Sequence, residues 1–197
     1  MADDRTRPAR AQDAADIARI YNQGIEDRLA TLETELRTPD ERAHWLAARD
    51  RRHPVIVATE PEASWSRPPT SRAGLAGLAT TDPATTAPAT TDPATTGWAS
   101  LNVFNAREAY RFVADISVYV ERGWRSKGVG RVLLEKLTEL GRAHGYHKLV
   151  LSAFPRNAAG MALYAKSGFR TVGIYHEQGQ LDGKWVDTIV MEKLLPV

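Results

Sequence analysis

VYVERGWRSKGVGRVLLEKL, residues 118–137, carries a strand, a basic turn with two glycines and the start of an amphipathic helix. Val129, Val132, Leu133, Leu137 and Leu140 recur at helical spacing and mark the buried stripe. Gly128 and Gly130 therefore fall in the first turn of that helix, where no side chain shields the backbone. The N–H groups there have no partner within the helix and sit at the positive end of its dipole, which suits an anion. Arg125, Lys127 and Arg131 add full charges. The pattern is neither a Walker loop, which needs G-x-x-x-x-G-K-[ST], nor the dinucleotide fingerprint, since Arg-Val-Leu follows Gly130. A glycine-softened strand-to-helix turn with solvated arginines has the same pattern, and this stretch alone leaves both readings open.

Just upstream, YRFVADISVYV, residues 110–120, reads as one strand. Alternation puts Tyr110, Phe112, Ala114, Ile116, Val118 and Val120 on one face, and Arg111, Val113, Asp115, Ser117 and Tyr119 on the other. Asp115 thus sits mid-strand in apolar surroundings, where aspartate is disfavoured. A half-buried carboxylate there can act as a base, its proton affinity raised by desolvation. It can equally be paired with Arg107 or Arg111, and spacing does not choose between the two.

Further out, RTRPAR predicts a short strand, followed by a turn at Gln12–Asp13 and a helix whose buried positions are Ala14, Ile17, Ala18 and Tyr21, with Asp13 as its N-cap. In TPDERAHWLAARDRRHP, Thr38 caps a second helix, Pro39 takes its first position and Glu41 completes a capping box. PVIVATE is a buried strand. Residues 61–96 then change character: ATTDPATTAP at 79–88 is nearly repeated as ATTDPATTGW at 89–98. This Thr, Pro and Ala composition has nothing to bury, which predicts a loop insert between two strands. A lid or partner-binding segment is the functional alternative. GWASLNVF and AYRFVADISVYV follow as strands, then the helix ended by Gly145, the strand YHKLVLSAF, and a short helix capped by Asn157 and closed by Gly168. FRTVGIYHE and KWVDTIVMEKLL finish the chain as strands across the turn LDGK. The order is mixed α+β around one sheet.

Composition excludes several classes of function. The 197 residues contain no cysteine, which removes thiol nucleophiles, disulfides and thiolate metal sites. His44, His53, His144, His147 and His176 show no metal-ligand spacing, so no metal is expected. A net charge of +2 with scattered arginines argues against a nucleic-acid surface. No apolar run approaches a membrane span, and MADDRTRPARAQDAAD lacks the apolar centre of a signal peptide, so a cytoplasmic protein is expected.

Arg125-Ser126-Lys127-Gly128-Val129-Gly130 resembles the R/Q-x-x-G-x-G/A signature of the GNAT acyltransferase superfamily. NAAGMALYAKSGF, residues 157–169, is similar to that superfamily's asparagine-to-LYxKxGF block. ETELRTPDE (33–41), NAREAYRFVADISVYV (105–120) and GQLDGKWVDTIVMEKLL (179–195) resemble its phosphinothricin and arsinothricin N-acetyltransferase branch. The resemblance implies an α+β fold: a mixed, largely antiparallel sheet flanked by helices, in which a splay between two parallel strands holds acetyl-CoA. It implies that the pyrophosphate lies on the amides of Ser126, Lys127, Gly128, Val129, Gly130 and Arg131, beside Arg125. The pantetheine would pair with the backbone of Val118 and Val120, on either side of Tyr119, like an added strand.

The branch places a glutamate base where Asp115 stands, one methylene shorter, so that Asp115 would reach the amine through a water. Tyr164 matches the tyrosine that protonates the departing thiolate, although a packed helix aromatic fits the same pattern. Asn157 would be both a helix cap and a cofactor contact. Arg107 would hold the acid group of the acceptor by bidentate hydrogen bonds, with Glu33 and Trp185 in neighbouring segments of the pocket, and a homodimer is implied. The resulting reading is a single GNAT domain over 1–197, with its insert at 61–96. It acetylates the α-amine of a small acidic amino acid or analogue of the phosphinothricin, arsinothricin or methionine sulfoximine type, and so confers resistance by detoxification. An acetyltransferase for protein N-termini or polyamines, a non-catalytic acetyl-CoA sensor and a partner-binding module built on the insert stay open as alternatives.

Overall fold

The computed structural model describes residues 5–60 and 93–196. Most of the insert, and its duplicated run as far as residue 92, lies outside the described residues.

The chain opens with β1 (Thr6–Pro8), a 3₁₀ turn at Ala11–Asp13 and α1 (Ala14–Glu26). Asp13 does not cap α1 from the N-cap position. The 3₁₀ turn runs straight into the helix and makes Asp13 the third residue of the combined element, so its carboxylate reaches back to the Arg10 amide at 2.7 Å and to Arg7 at 2.7 and 2.8 Å. α2 (Pro39–Ala47) begins as its sequence predicts. Thr38 Oγ1 accepts from the Glu41 amide at 3.2 Å while Glu41 Oε2 accepts from the Thr38 amide at 2.6 Å, which satisfies two terminal donors at once.

Next come β2 (Val55–Thr59), β3 (Thr95–Val103), β4 (Val113–Val120), α3 (Val129–Ala143), β5 (Lys148–Ala153), α4 (Ala158–Lys166), β6 (Arg170–Leu181) and β7 (Lys184–Leu194). Among the boundaries that differ from the sequence reading, two bear on the site. β3 starts at Thr95, inside the expected insert, because Thr95 and Thr96 are buried and Thr96 Oγ1 donates to Ala58 O. β4 starts only at Val113. Asn105 accepts from the Arg107 amide and turns the chain into a 3₁₀ segment at Glu108–Tyr110, which leaves Tyr110 and Phe112 exposed. The β6–β7 hairpin turns at Asp182–Gly183, both with positive φ, as the LDGK turn predicts.

The seven strands lie in the order β1-β2-β3-β4-β5-β7-β6, and every neighbouring pair is antiparallel except β4–β5. On one face Ala99, Leu101, Ala114 and Ile116 pack under Leu133, Leu134 and Leu137 of α3. On the other, Val57 and Trp98 meet Ile17, Ile20, Tyr21 and Ile25 of α1, with Tyr119 packed against them. β4 is thus covered on both faces, and its alternation carries Asp115 inward rather than to solvent. Among the described residues no helix is long and apolar enough to cross a membrane.

Candidate active site

β3 pairs with β4 along its length, from Gly97–Val120 to Val103–Ala114. β5 pairs with β4 only at Val113, Ala114 and Asp115, and the two parallel strands then diverge. Beyond Asp115 one edge of β4 therefore has backbone groups without a strand partner. The Glu121 amide donates to Thr96 O, towards β3. By alternation Val118 and Val120 direct their N–H and C=O groups to the open edge, and Arg125 Nε reaches Val120 O there at 3.3 Å.

At the end of this edge the chain curls before entering α3. Ser126 (φ 62°) and Gly128 (φ 86°) are both left-handed. Such a run of αL and αR residues gathers successive amides into an anion-binding concavity. The amides of Ser126, Gly128, Val129 and Gly130 make no hydrogen bond to a described residue. Those of Lys127 and Arg131 are turned to Trp124 O and Gly128 O, so the free set is smaller than the 126–131 run in the sequence reading. Nothing stands within 4 Å of a Cβ built on Gly128, so the backbone faces open space. The three cations of the turn have partners: Arg125 pairs with Asp27 at 2.6 Å, Arg131 with Glu135 at 3.7 Å, and Lys127 lies 5.1 Å from the Trp124 ring centroid. Asp27 is held below its ordinary carboxyl range by its hydrogen bonds to Arg122 and Arg125.

A cavity of about 300 Å³ opens between this turn and α4. Val118, Tyr119 and Val120 form one wall, and Asn157, Leu163 and Tyr164 another. Asn157 Oδ1 accepts from the Gly160 amide at 3.0 Å, so the helix cap and a place at the cavity coexist in one residue. Ile20, Gly24, Leu29 and Ala30 close the third side. The sequence reading missed that wall. Its one local signal was Gly24 on the buried stripe of α1, where a Cβ would come within 3.1 Å of Tyr119. Tyr119 is itself stacked on Trp98, with centroids 4.7 Å apart.

Asp115 lies at the head of the splay, at the last paired position. Burial pushes its carboxyl up to about 6, opposed by a hydrogen bond from Asn102 Nδ2 at 3.4 Å. Among the described residues it has no ion pair: Arg111 bonds to Glu108 and lies over Phe112, and Arg107 points elsewhere. Tyr164 is raised to about 12, by burial first and then by the charge of Asp115. The two groups therefore interact, one ionised and the other protonated at neutral pH. Such a pair can accept a proton at one atom and donate one at the other.

Asp115, Lys127 and Val129 are not among the residues that line this cavity, and neither are Arg107, Glu33 and Trp185. Arg107 is exposed and lines a separate hollow with Arg52, His53, Phe104 and Tyr146. Glu33 is bound to Arg37 at 2.7 Å beside Tyr21, in the connection between α1 and α2. Trp185 is 59% exposed near the tip of the β6–β7 hairpin. Among the described residues no group of His, Asp or Glu side chains gathers in a metal-holding cluster.

Residues 26–169 match the acetyltransferase (GNAT) family. The chain belongs to that family. This GNAT protein is 27% identical over 196 residues to the phosphinothricin N-acetyltransferase of Streptomyces coelicolor, with 98% of each chain covered. It is 29% identical to the L-methionine sulfoximine/L-methionine sulfone acetyltransferase of Pseudomonas paraeruginosa, over 94% of this chain and 91% of that one. Its structure is similar to a GNAT superfamily phosphinothricin acetyltransferase from Sinorhizobium meliloti solved with acetyl-CoA, at TM-score 0.76 and 25% identity, covering 96% and 87% of the two chains. The GNAT protein is an acetyl-CoA-dependent N-acetyltransferase, and acetyl-CoA is its cosubstrate.

Proposed function

We propose that this acetyltransferase moves an acetyl group from acetyl-CoA to the α-amine of a small acidic amino acid or analogue of the phosphinothricin, arsinothricin or methionine sulfoximine type. The observation that carries the reading is Asp115 at the head of the splay acting electrostatically on Tyr164 in the cavity wall, its carboxyl raised to about 6 and the phenol to about 12. The names of the relatives supply the acceptor class.

In this reading the pyrophosphate lies against the free amides of Ser126, Gly128, Val129 and Gly130, with the Lys127 and Arg131 side chains nearby. The pantetheine pairs with Val118 and Val120 across the open edge. Asp115, through a water, takes a proton from the acceptor's ammonium. The amine nitrogen then attacks the thioester carbonyl carbon, and the oxyanion that forms is met by a β4 amide near Val118. The C–S bond breaks, Tyr164 gives its proton to the sulfur, the second proton of the acylated nitrogen returns to the Tyr164 phenolate through solvent, and the proton held by Asp115 leaves to solvent. Arg107 holds the acceptor's acid group, with Glu33 and Trp185 bordering it.

Arg107 and Trp185 lie outside the cavity of a single chain, and Val172, Ile174 and Tyr175 of β6 expose apolar surface. Both features support a homodimer in which a second copy completes the acceptor pocket. The chain is read as one acetyltransferase domain over 1–197, acting in the cytoplasm to detoxify its acceptor. The test is acetyl-CoA-dependent thiol release with phosphinothricin, arsinothricin, methionine sulfoximine, glutamate and a polyamine, for the native protein and Asp115→Ala. Turnover confined to one acidic analogue is the expected result. Turnover with the polyamine alone, or none with acetyl-CoA bound, overturns the reading.

A further inference from the structure

Asn102 stands on β3 directly opposite Asp115 on β4, and its side-chain amide is fully engaged. Its Oδ1 accepts from Arg49 Nη2 at 3.1 Å and from Ser100 Oγ at 3.0 Å. Its Nδ2 donates to Ser117 Oγ at 3.1 Å and to Asp115 Oδ2 at 3.4 Å. A guanidinium can only donate, so the amide atom facing Arg49 must be the oxygen. That fixes the amide's orientation and turns its N–H groups towards the carboxylate. Arg49 is itself held. Its Nε donates to His53 O at 2.8 Å, its Nη2 also meets Leu101 O, and Trp45 lies 5.1 Å away across the guanidinium.

Few charged or titratable groups act on Asp115. From α4 comes Tyr164, which stays neutral well above pH 7. The β5 residue in register is Val150, without charge. Among the described residues, the cation reached through these contacts is Arg49, which stands behind the Asn102 oxygen. Burial pushes the Asp115 carboxyl up, and Asn102 supplies the hydrogen bond that opposes it.

We propose that Asn102, locked by Arg49 and Ser100, is a positioning residue for Asp115, tying Oδ2 so that Oδ1 faces the acceptor's proton and the carboxylate is kept ionised. The proposal rests on Asp115 being the base. It assigns the half-buried polar stripe Arg49–Asn102–Asp115 a role that no local motif announces, and it explains how a carboxylate with no ion pair among the described residues stays charged between two cores.

Asn102→Leu keeps the size and removes the donor, Asn102→Ser is the milder companion should the first fail to fold, and Arg49→Met leaves the amide but unlocks it. The carboxyl of Asp115 is titrated directly by carbon-detected NMR, without substrate, and the kcat/KM profile is recorded from pH 5 to 9. In Asn102→Leu the Asp115 midpoint is expected to rise by about one pH unit, and the ascending limb of kcat/KM with it, so that at pH 6 activity relative to its own plateau falls roughly fivefold. Arg49→Met shifts both in the same direction and by less, and the KM for acetyl-CoA does not move. An Asp115 midpoint that is the same in all variants overturns the proposal. A midpoint that moves while the rate profile stays fixed supports the hold of Asn102 on Asp115 and overturns Asp115 as the base.

Discussion

A Cβ built on Gly130 would stand 2.8 Å from Leu163 Cδ2, closer than the two atoms can approach. α3 and α4 therefore meet through the missing side chain of a glycine, and Leu163 is the wall of the cavity at that point. Gly130→Ala is expected to leave stability unharmed, since alanine suits a helix better by about 1 kcal/mol. It pushes Leu163 into the cavity and raises the Kd for acetyl-CoA roughly tenfold, or about 1.4 kcal/mol. Gly128→Ala should do the reverse. Its Cβ meets nothing, but φ of 86° strains any other residue, so stability falls by about 1–2 kcal/mol. Calorimetric titration and thermal melts of both variants separate the two effects.

Asp115 illustrates a site that works against the fold. Its carboxyl is raised to about 6 by burial, so between the unfolded value of 3.8 and 6 the folded state binds more protons than the unfolded one. Stability therefore falls as pH rises through that window. Asp115→Asn is expected to stabilise the protein at pH 7 by up to about 3 kcal/mol, with no gain at pH 3.5. The same change should lower kcat by about 10²–10⁴-fold. Denaturant melts at the two pH values, set beside thiol-release rates, check both halves.

The parts of this design that depend on near neighbours were legible in the sequence. The stripe of α3, the Thr38–Glu41 box, the Asp182–Gly183 turn and the glycine-rich start of α3 are all set within a few residues. What escaped is non-local. Arg125 reads as a cation free for an anion, but its partner Asp27 comes from the end of α1. Asp115 reads as a carboxylate beside two arginines, but its partner Asn102 is defined only by the β3–β4 register. Tyr110–Phe112 reads as strand because periodicity cannot register the Asn105 hydrogen bond that turns the chain first. The left-handed conformation of Ser126 has no compositional signal, since glycine is the residue that usually announces it.

Asp13 ties the start of the chain to α1. Its side chain is 5% exposed and accepts two bonds from Arg7 and one from the Arg10 amide. Burial works to raise its carboxyl, but the Arg7 bond and the Arg10 amide outweigh it and hold the group below 3.8. Its stabilisation is thus fully present above the unfolded value and is lost as pH falls through the folded one. Asp13→Ala is expected to cost about 2–4 kcal/mol at pH 7, since it removes the two hydrogen bonds from Arg7 and the one from the Arg10 amide. The gap from the native protein should narrow below pH 4, which urea melts across pH 2.5–7 would reveal.

Tyr164 offers the cleanest separation of chemistry from binding. Removing its hydroxyl leaves the ring packed edge-on against Phe169, 6.1 Å between centroids, so Tyr164→Phe keeps the cavity wall and the position of α4. A phenol raised to about 12 carries its proton throughout the working range, so the native profile should show no descending limb below pH 10 from this group. In Tyr164→Phe the thiolate must take its proton from water, and kcat is expected to drop about 10²-fold with the KM for acetyl-CoA within twofold of native. A more acidic leaving thiol needs less help, so an acetyl thioester of a low-pKa aryl thiol should narrow the gap between the two proteins. An equal deficit with both donors would place Tyr164 in packing alone, and steady-state rates with the two thioesters decide between these outcomes.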